Sequence, residues 1–167
     1  MKIDVSKLSY SKPTSIKEEV SFDPEKFVPT FPLKSIKKTL VNAKVTRYDD
    51  FINVALNIKA DVTLISSYSL KEFDATLSGE DELNFVSVLN EFEEDEELIL
   101  YRGNFIELDE FIFNLLSASV PLKPIIEGEE APKSGKNYRV ISDEEAQKEK
   151  LEKGDARFSK LDELEFD

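Results

Sequence analysis

An α+β fold built mainly on antiparallel strands is predicted for this chain by three features of its sequence. Val, Ile, Leu, Phe and Thr recur at alternating positions through much of 38–89, the period of a strand with one buried face. Segment 108–120 instead repeats its apolar residues at helical spacing. The 167 residues are 40% hydrophobic and include twelve Phe, enough for a single core.

Taken in order, Ile3 and Val5, then Leu8 and Tyr10, give a brief first strand ending before Pro13. Segment 13–33 holds Pro13, Pro24, Pro29 and Pro32 and reads as connection, with a short strand at 20–22. The stretches 38–48, 51–66, 71–78 and 82–89 read as strands. Turns are placed at Asp49 and Asp50, and at Ser78, Gly79, Glu80 and Asp81. Such short turns make the sheet antiparallel, with scope to curve into a partial barrel. Residues 98–101 add a strand closed by Arg102 and Gly103.

In 108–120, Leu108, Phe111, Ile112, Leu115 and Leu116 share one helical face. Asp109 and Glu110 suit the positive end of the helix dipole. Pro121 and Pro124 end the helix, which is read as a cover for the sheet. Residues 126–141 read as irregular. Ser142 and Glu145 have capping-box spacing, and Phe158, Leu161 and Leu164 share a helical face. The expected organisation is therefore a core domain, 1–125, and an irregular to helical tail, 126–167. That tail either docks on the core or awaits a partner's groove.

Composition limits the chemistry. With no His and no Cys, the chain lacks the preferred ligands of zinc and cannot form a His-based nucleophilic triad. No cofactor is expected. The acidic run 91–97 offers carboxylates to a hard cation, but it lacks the Asp/Asn alternation around a fixed Gly of an EF-hand and reads as a solvated loop. Gly135, Lys136 and Asn137 imitate the end of a phosphate loop. Gly128 is too far upstream, however, and Asn137 stands where Ser or Thr would bind magnesium. No apolar run nears the roughly 20 residues of a membrane span, and the N-terminus lacks an apolar signal core. A cytoplasmic protein without membrane contact is expected.

The formal charge of −13 is unevenly spread. Residues 1–59 carry eleven basic and seven acidic side chains, residues 60–110 two and fifteen, and residues 111–167 nine and thirteen. The acidic middle repels a phosphate backbone and attracts a basic protein. Lys34, Lys37, Lys38, Lys44 and Arg47 offer a local alternative for RNA.

Four segments together resemble the YceD family of large ribosomal RNA subunit accumulation proteins. ISSYSLKEF, 65–73, is similar to a strand ending in Cys-x-Arg-Cys-Leu, with Ser66, Tyr68, Ser69 and Leu70 at those positions. Segment 103–124 resembles Gly-x-x-Ile-Asp-Leu, a helix, then Pro-x-Lys-Pro, matched by Gly103, Ile106, Glu107, Leu108, Pro121, Lys123 and Pro124. APKSGKN, 131–137, resembles Cys-Pro-x-Cys-Gly-x-Asn, with Ala131 and Ser134 replacing the cysteines and Pro132, Gly135 and Asn137 agreeing. DARFSKL, 155–161, matches through Asp155, Arg157, Phe158 and Leu161.

The resemblance implies a non-catalytic role in processing or accumulation of large-subunit (23S) ribosomal RNA. It implies a ribosomal protein or large-subunit assembly factor as partner, with ribosomal RNA contacted directly or indirectly. The family's cysteines are spaced like metal ligands; Ser66, Ser69, Ala131 and Ser134 remove any such role here. Lys123, Pro124, Gly135, Asn137, Asp155, Arg157 and Phe158 are the expected partner-binding positions. Leu70, Ile106, Leu108 and Phe158 read as core residues ahead of contact residues, and Gly103 and Gly135 as turns of positive φ. Two other functions stay open: direct RNA binding, and a nuclease using carboxylates and magnesium.

Overall fold

The computed structural model describes residues 1–87 and 98–130, with Pro132 and Lys148 besides. The acidic run 91–97 and the predicted tail helices lie outside the described residues. Met1–Ile126 forms one compact unit, and the remaining chain is a second.

The first unit is mostly β-sheet with one helix. Its elements are β1 (Lys2–Asp4), a single 3₁₀ turn (Val5–Lys7), β2 (Thr14–Val20), β3 (Leu33–Arg47), β4 (Ile52–Ile65), β5 (Glu72–Val86), β6 (Leu98–Leu100), β7 (Phe105–Glu107) and α1 (Asp109–Ala118). The main sheet runs β2-β3-β4-β5-β6; β1 and β7 pair separately. All pairings are antiparallel except β5 with β6, which is parallel. The strand order is linear and closes no barrel among the described residues. No helix there is long and apolar enough to cross a membrane.

Period-two alternation builds the core. Along β4, Ile52, Val54, Leu56, Ile58, Ala60, Val62 and Leu64 are all buried, while Asn53, Ala55, Asn57, Lys59, Asp61 and Thr63 turn to the other face. On β3, Thr39, Val41, Ala43 and Val45 are buried beside them. Helix α1 lies over β4 and β5 and buries Ile112 and Leu116. Burying each such side chain contributes about 1.5–3 kcal/mol. Phe111 meets Phe85 edge-on, with ring centroids 5.5 Å apart.

The N-terminus pins the start of the helix. Leu108 N–H donates to the Met1 carbonyl at 3.0 Å, and the terminal ammonium pairs with Asp109.

Three readings of the sequence need correction. The predicted first strand is only the short β1; Val5 begins a 3₁₀ turn, and Tyr10 makes one isolated bridge to Arg47. Most of segment 13–20 is strand β2, not connection. Its alternation is masked because Ile16 and Val20 are separated by charged residues of a sheet edge, as edge strands often are.

The turn expected at 78–81 does not exist, since β5 runs unbroken through it. Gly79 serves packing: a Cβ there would lie 2.5 Å from Ser119 Oγ and 3.1 Å from Leu115 Cδ1. The missing side chain lets α1 approach the strand. The turn at Asp49 and Asp50 does form, with Tyr48 N–H donating to the Phe51 carbonyl at 2.8 Å.

Candidate functional site

Three connecting segments meet at one end of the main sheet. The β4–β5 loop, 66–71, is shaped by its serines. Ser66 N–H donates to the Lys71 carbonyl at 2.8 Å, and Leu70 N–H to the Ser66 carbonyl at 3.0 Å. Buried Ser66 accepts on its hydroxyl from Tyr68 N–H at 3.2 Å and Ser69 N–H at 3.5 Å. Ser69 Oγ in turn accepts from Lys71 N–H at 3.3 Å. Short hydroxyl side chains thus satisfy the backbone donors of a tight turn.

Two bonds fasten this loop to its neighbours. Ser67 N–H donates to the Pro124 carbonyl at 2.8 Å, beyond α1, and Ile65 N–H to the Pro32 carbonyl at 2.9 Å, ahead of β3. The loop of 65–73 and the Pro-x-Lys-Pro segment, distant in sequence, are therefore neighbours. Pro124 is buried and Lys123 exposed.

Each of the three segments exposes a large apolar side chain. Phe31 is 66% exposed, Leu70 70% and Leu122 99%. A depression of about 340 Å³ opens between Phe31, Leu33, Val120, Pro121 and Leu122. Leu70 is not a core residue, contrary to one reading of the sequence, whereas Ile106 and Leu108 are fully buried. Leu70 also adopts a left-handed conformation, φ +59°, which costs a non-glycine residue roughly 1–2 kcal/mol. Gly103, at φ +80°, makes the turn expected of it. Phe31 and Leu122 carried no sequence signal as contact residues: an apolar residue beside a proline reads equally well as buried.

Charge is ordered on the sheet's open face. Lys37 pairs with Asp74 at 2.6 Å, Lys38 with Glu19 at 3.1 Å, and Lys34 with Glu72. Arg47 stacks on the Tyr10 ring at 4.4 Å and donates to its hydroxyl at 3.0 Å. Four of the five basic residues considered for RNA are thus engaged within the chain. The Lys37 ammonium, followed by the Thr63 hydroxyl, holds the Asp74 carboxyl below its ordinary range.

Further along β5, Asn57 donates to Glu80 at 2.5 Å and Asn53 to Glu82 at 2.7 Å. These carboxylates have amide partners rather than ammonium groups among the described residues. Among the described residues, no three acidic side chains gather as metal ligands would. Ala131, Ser134, Gly135, Asn137, Asp155, Arg157 and Phe158 lie outside the described residues.

The family model described as "Large ribosomal RNA subunit accumulation protein YceD" matches residues 54–165. It begins within β4, so β1–β3 and most of the basic N-terminal third precede the matched stretch. No curated protein matches the chain, and no solved structure does.

Proposed function

Because the chain belongs to the YceD family, large ribosomal RNA subunit accumulation proteins, we propose that it supports 23S ribosomal RNA accumulation by binding, without catalysis. The partner is a basic ribosomal protein or large-subunit assembly factor, met in the cytoplasm. Leu70 carries this reading. A large apolar side chain held at φ +59° and left 70% exposed works against folding twice, through strain and through exposure. Glycine would suit the turn better. Contact with a partner gives the side chain a use, and Phe31 and Leu122 on the two adjoining segments are exposed as well.

Lys123 and Pro124 belong to the proposed contact by position. Gly135, Asn137, Asp155, Arg157 and Phe158 join it as family-motif residues. The acidic β5 beside this surface draws a basic partner and speeds encounter. Engagement of Lys34, Lys37, Lys38 and Arg47 within the chain supports a protein partner over direct RNA contact.

Depleting the protein in its host and measuring large-subunit precursor RNA tests the role. Precursor should build up and be cleared by wild type, but not by a Leu70→Ser, Leu122→Ser variant. Unchanged precursor after depletion would sink the proposal.

A further inference from the structure

We propose that the free edge of β5 takes an extended, basic segment of the partner as an added strand. This rests on the binding role proposed above and specifies its mode.

The hydrogen-bond parity of β5 is fixed at both ends. Ser66 N–H donates to the Lys71 carbonyl, and the β4–β5 register continues from there without a shift. Odd-numbered residues of β5 therefore face β4, and even-numbered ones turn N–H and C=O away from it. The other end agrees: Val86, an even position, accepts from Tyr101 N–H at 2.9 Å on the far side.

Strand β6 occupies this far side only at Asn84, Phe85 and Val86. Upstream, among the described residues, no strand pairs with the edge of β5. Asp74, Thr76, Ser78 and Glu80 are all exposed and present their backbone groups there. Asp81 Oδ1 accepts from Glu82 N–H at 2.9 Å and closes the open stretch.

Three of the devices that block strand addition are missing from this edge. It has no proline, no bulge and no lysine from Glu72 to Glu82, where blunted edges carry such features. Its charge names the occupant. The even positions carry Glu80 and Glu82 on one face, both bonded to amides rather than ammonium groups among the described residues, beside Glu72 and Asp74, which Lys34 and Lys37 already offset. An added strand would set alternate side chains opposite them, where opposite charges pair favourably and like charges repel. The other alternate side chains would face the helix-covered side. The fitting ligand is an extended segment alternating Lys or Arg with apolar residues.

The test uses the full chain and two synthetic nine-residue peptides, one alternating Lys with Val and one alternating Glu with Val. Amide hydrogen exchange is followed by NMR. With the basic peptide at ten times its Kd, exchange at Asp74, Thr76, Ser78 and Glu80 should slow about tenfold. Phe73, Ala75 and Leu77, already in the β4 ladder, should be unchanged, and the acidic peptide should do nothing.

Protection of the even amides in the free protein overturns the proposal. So does an absence of added protection, or an equal response to both peptides. Ser78→Pro removes one outward N–H and spares the ladder to β4; it should abolish the response. Glu80→Lys, Glu82→Lys should abolish it too, and serves if the proline variant fails to fold. If depletion changes precursor RNA but either variant, folded, restores it fully, the edge proposal falls and the cellular role stands. If the even amides respond while depletion leaves the RNA unchanged, the edge stands and the cellular role falls.

Discussion

The two faces of the main sheet come from the same strands and obey different rules. On the inner face, every other residue of β4 is buried against α1 or its neighbours. On the outer face, the intervening residues form a polar surface graded from lysines on β3, through Asn53 and Asn57 on β4, to carboxylates on β5. Packing determines the first face closely. The second has far less packing to satisfy, so its ordered charge is better explained by what it meets.

The largest effect should come from breaking the inner face. Leu116 is fully buried, and Leu116→Ala should cost about 2–5 kcal/mol in urea denaturation. Gly79→Val should be comparably harmful, because its side chain would enter the space of Ser119 and Leu115 and overpacking costs about 1–3 kcal/mol or more. A stable Gly79→Val protein would contradict the close seating of α1 on β5.

Leu70 behaves in the opposite way to these packed residues: it is exposed and strained. Leu70→Gly relieves the left-handed strain and should raise stability by about 1 kcal/mol. It should also weaken rescue in depleted cells. A stability loss there would show that Leu70 is held by the fold rather than kept for contact.

Outer-face changes should be the smallest. Asn57→Ala removes the bond to Glu80 on an exposed surface and should stay within about 0.5 kcal/mol. Asp74→Asn should slightly destabilise the protein at neutral pH. The folded carboxyl titrates below its ordinary value of 3.8, so its stabilising share is complete above that value. It is lost as pH falls through the lowered folded value. The difference between Asp74→Asn and wild type should therefore vanish in acid. A difference that persists there would point away from the Lys37 pairing.

Legibility in the sequence followed the same division. The alternation of β4 and the helical spacing of Ile112 and Leu116 were plain, because burial selects residue type at a fixed period. Strand β2 was missed because its outward side chains are charged and its inward ones few. Gly79 was misread because glycine beside Glu80 and Asp81 looks like a turn when the helix above it is unseen. The pairing of 65–71 with 121–124 was hidden for another reason. It rests on the backbone bond from Ser67 to Pro124, which leaves no mark on side-chain pattern. The four motif segments showed the family, and the fold then showed that two of them are joined by a backbone bond.

Under the proposed function this chain works by holding a basic large-subunit protein. The most direct test is quantitative co-purification from the host, comparing the tagged wild-type chain with a Leu70→Ser, Leu122→Ser variant and a Glu80→Lys, Glu82→Lys variant. Wild type should enrich a basic ribosomal or assembly protein, and both folded variants should lose it. No enrichment by wild type, or equal enrichment by all three, would contradict the claim.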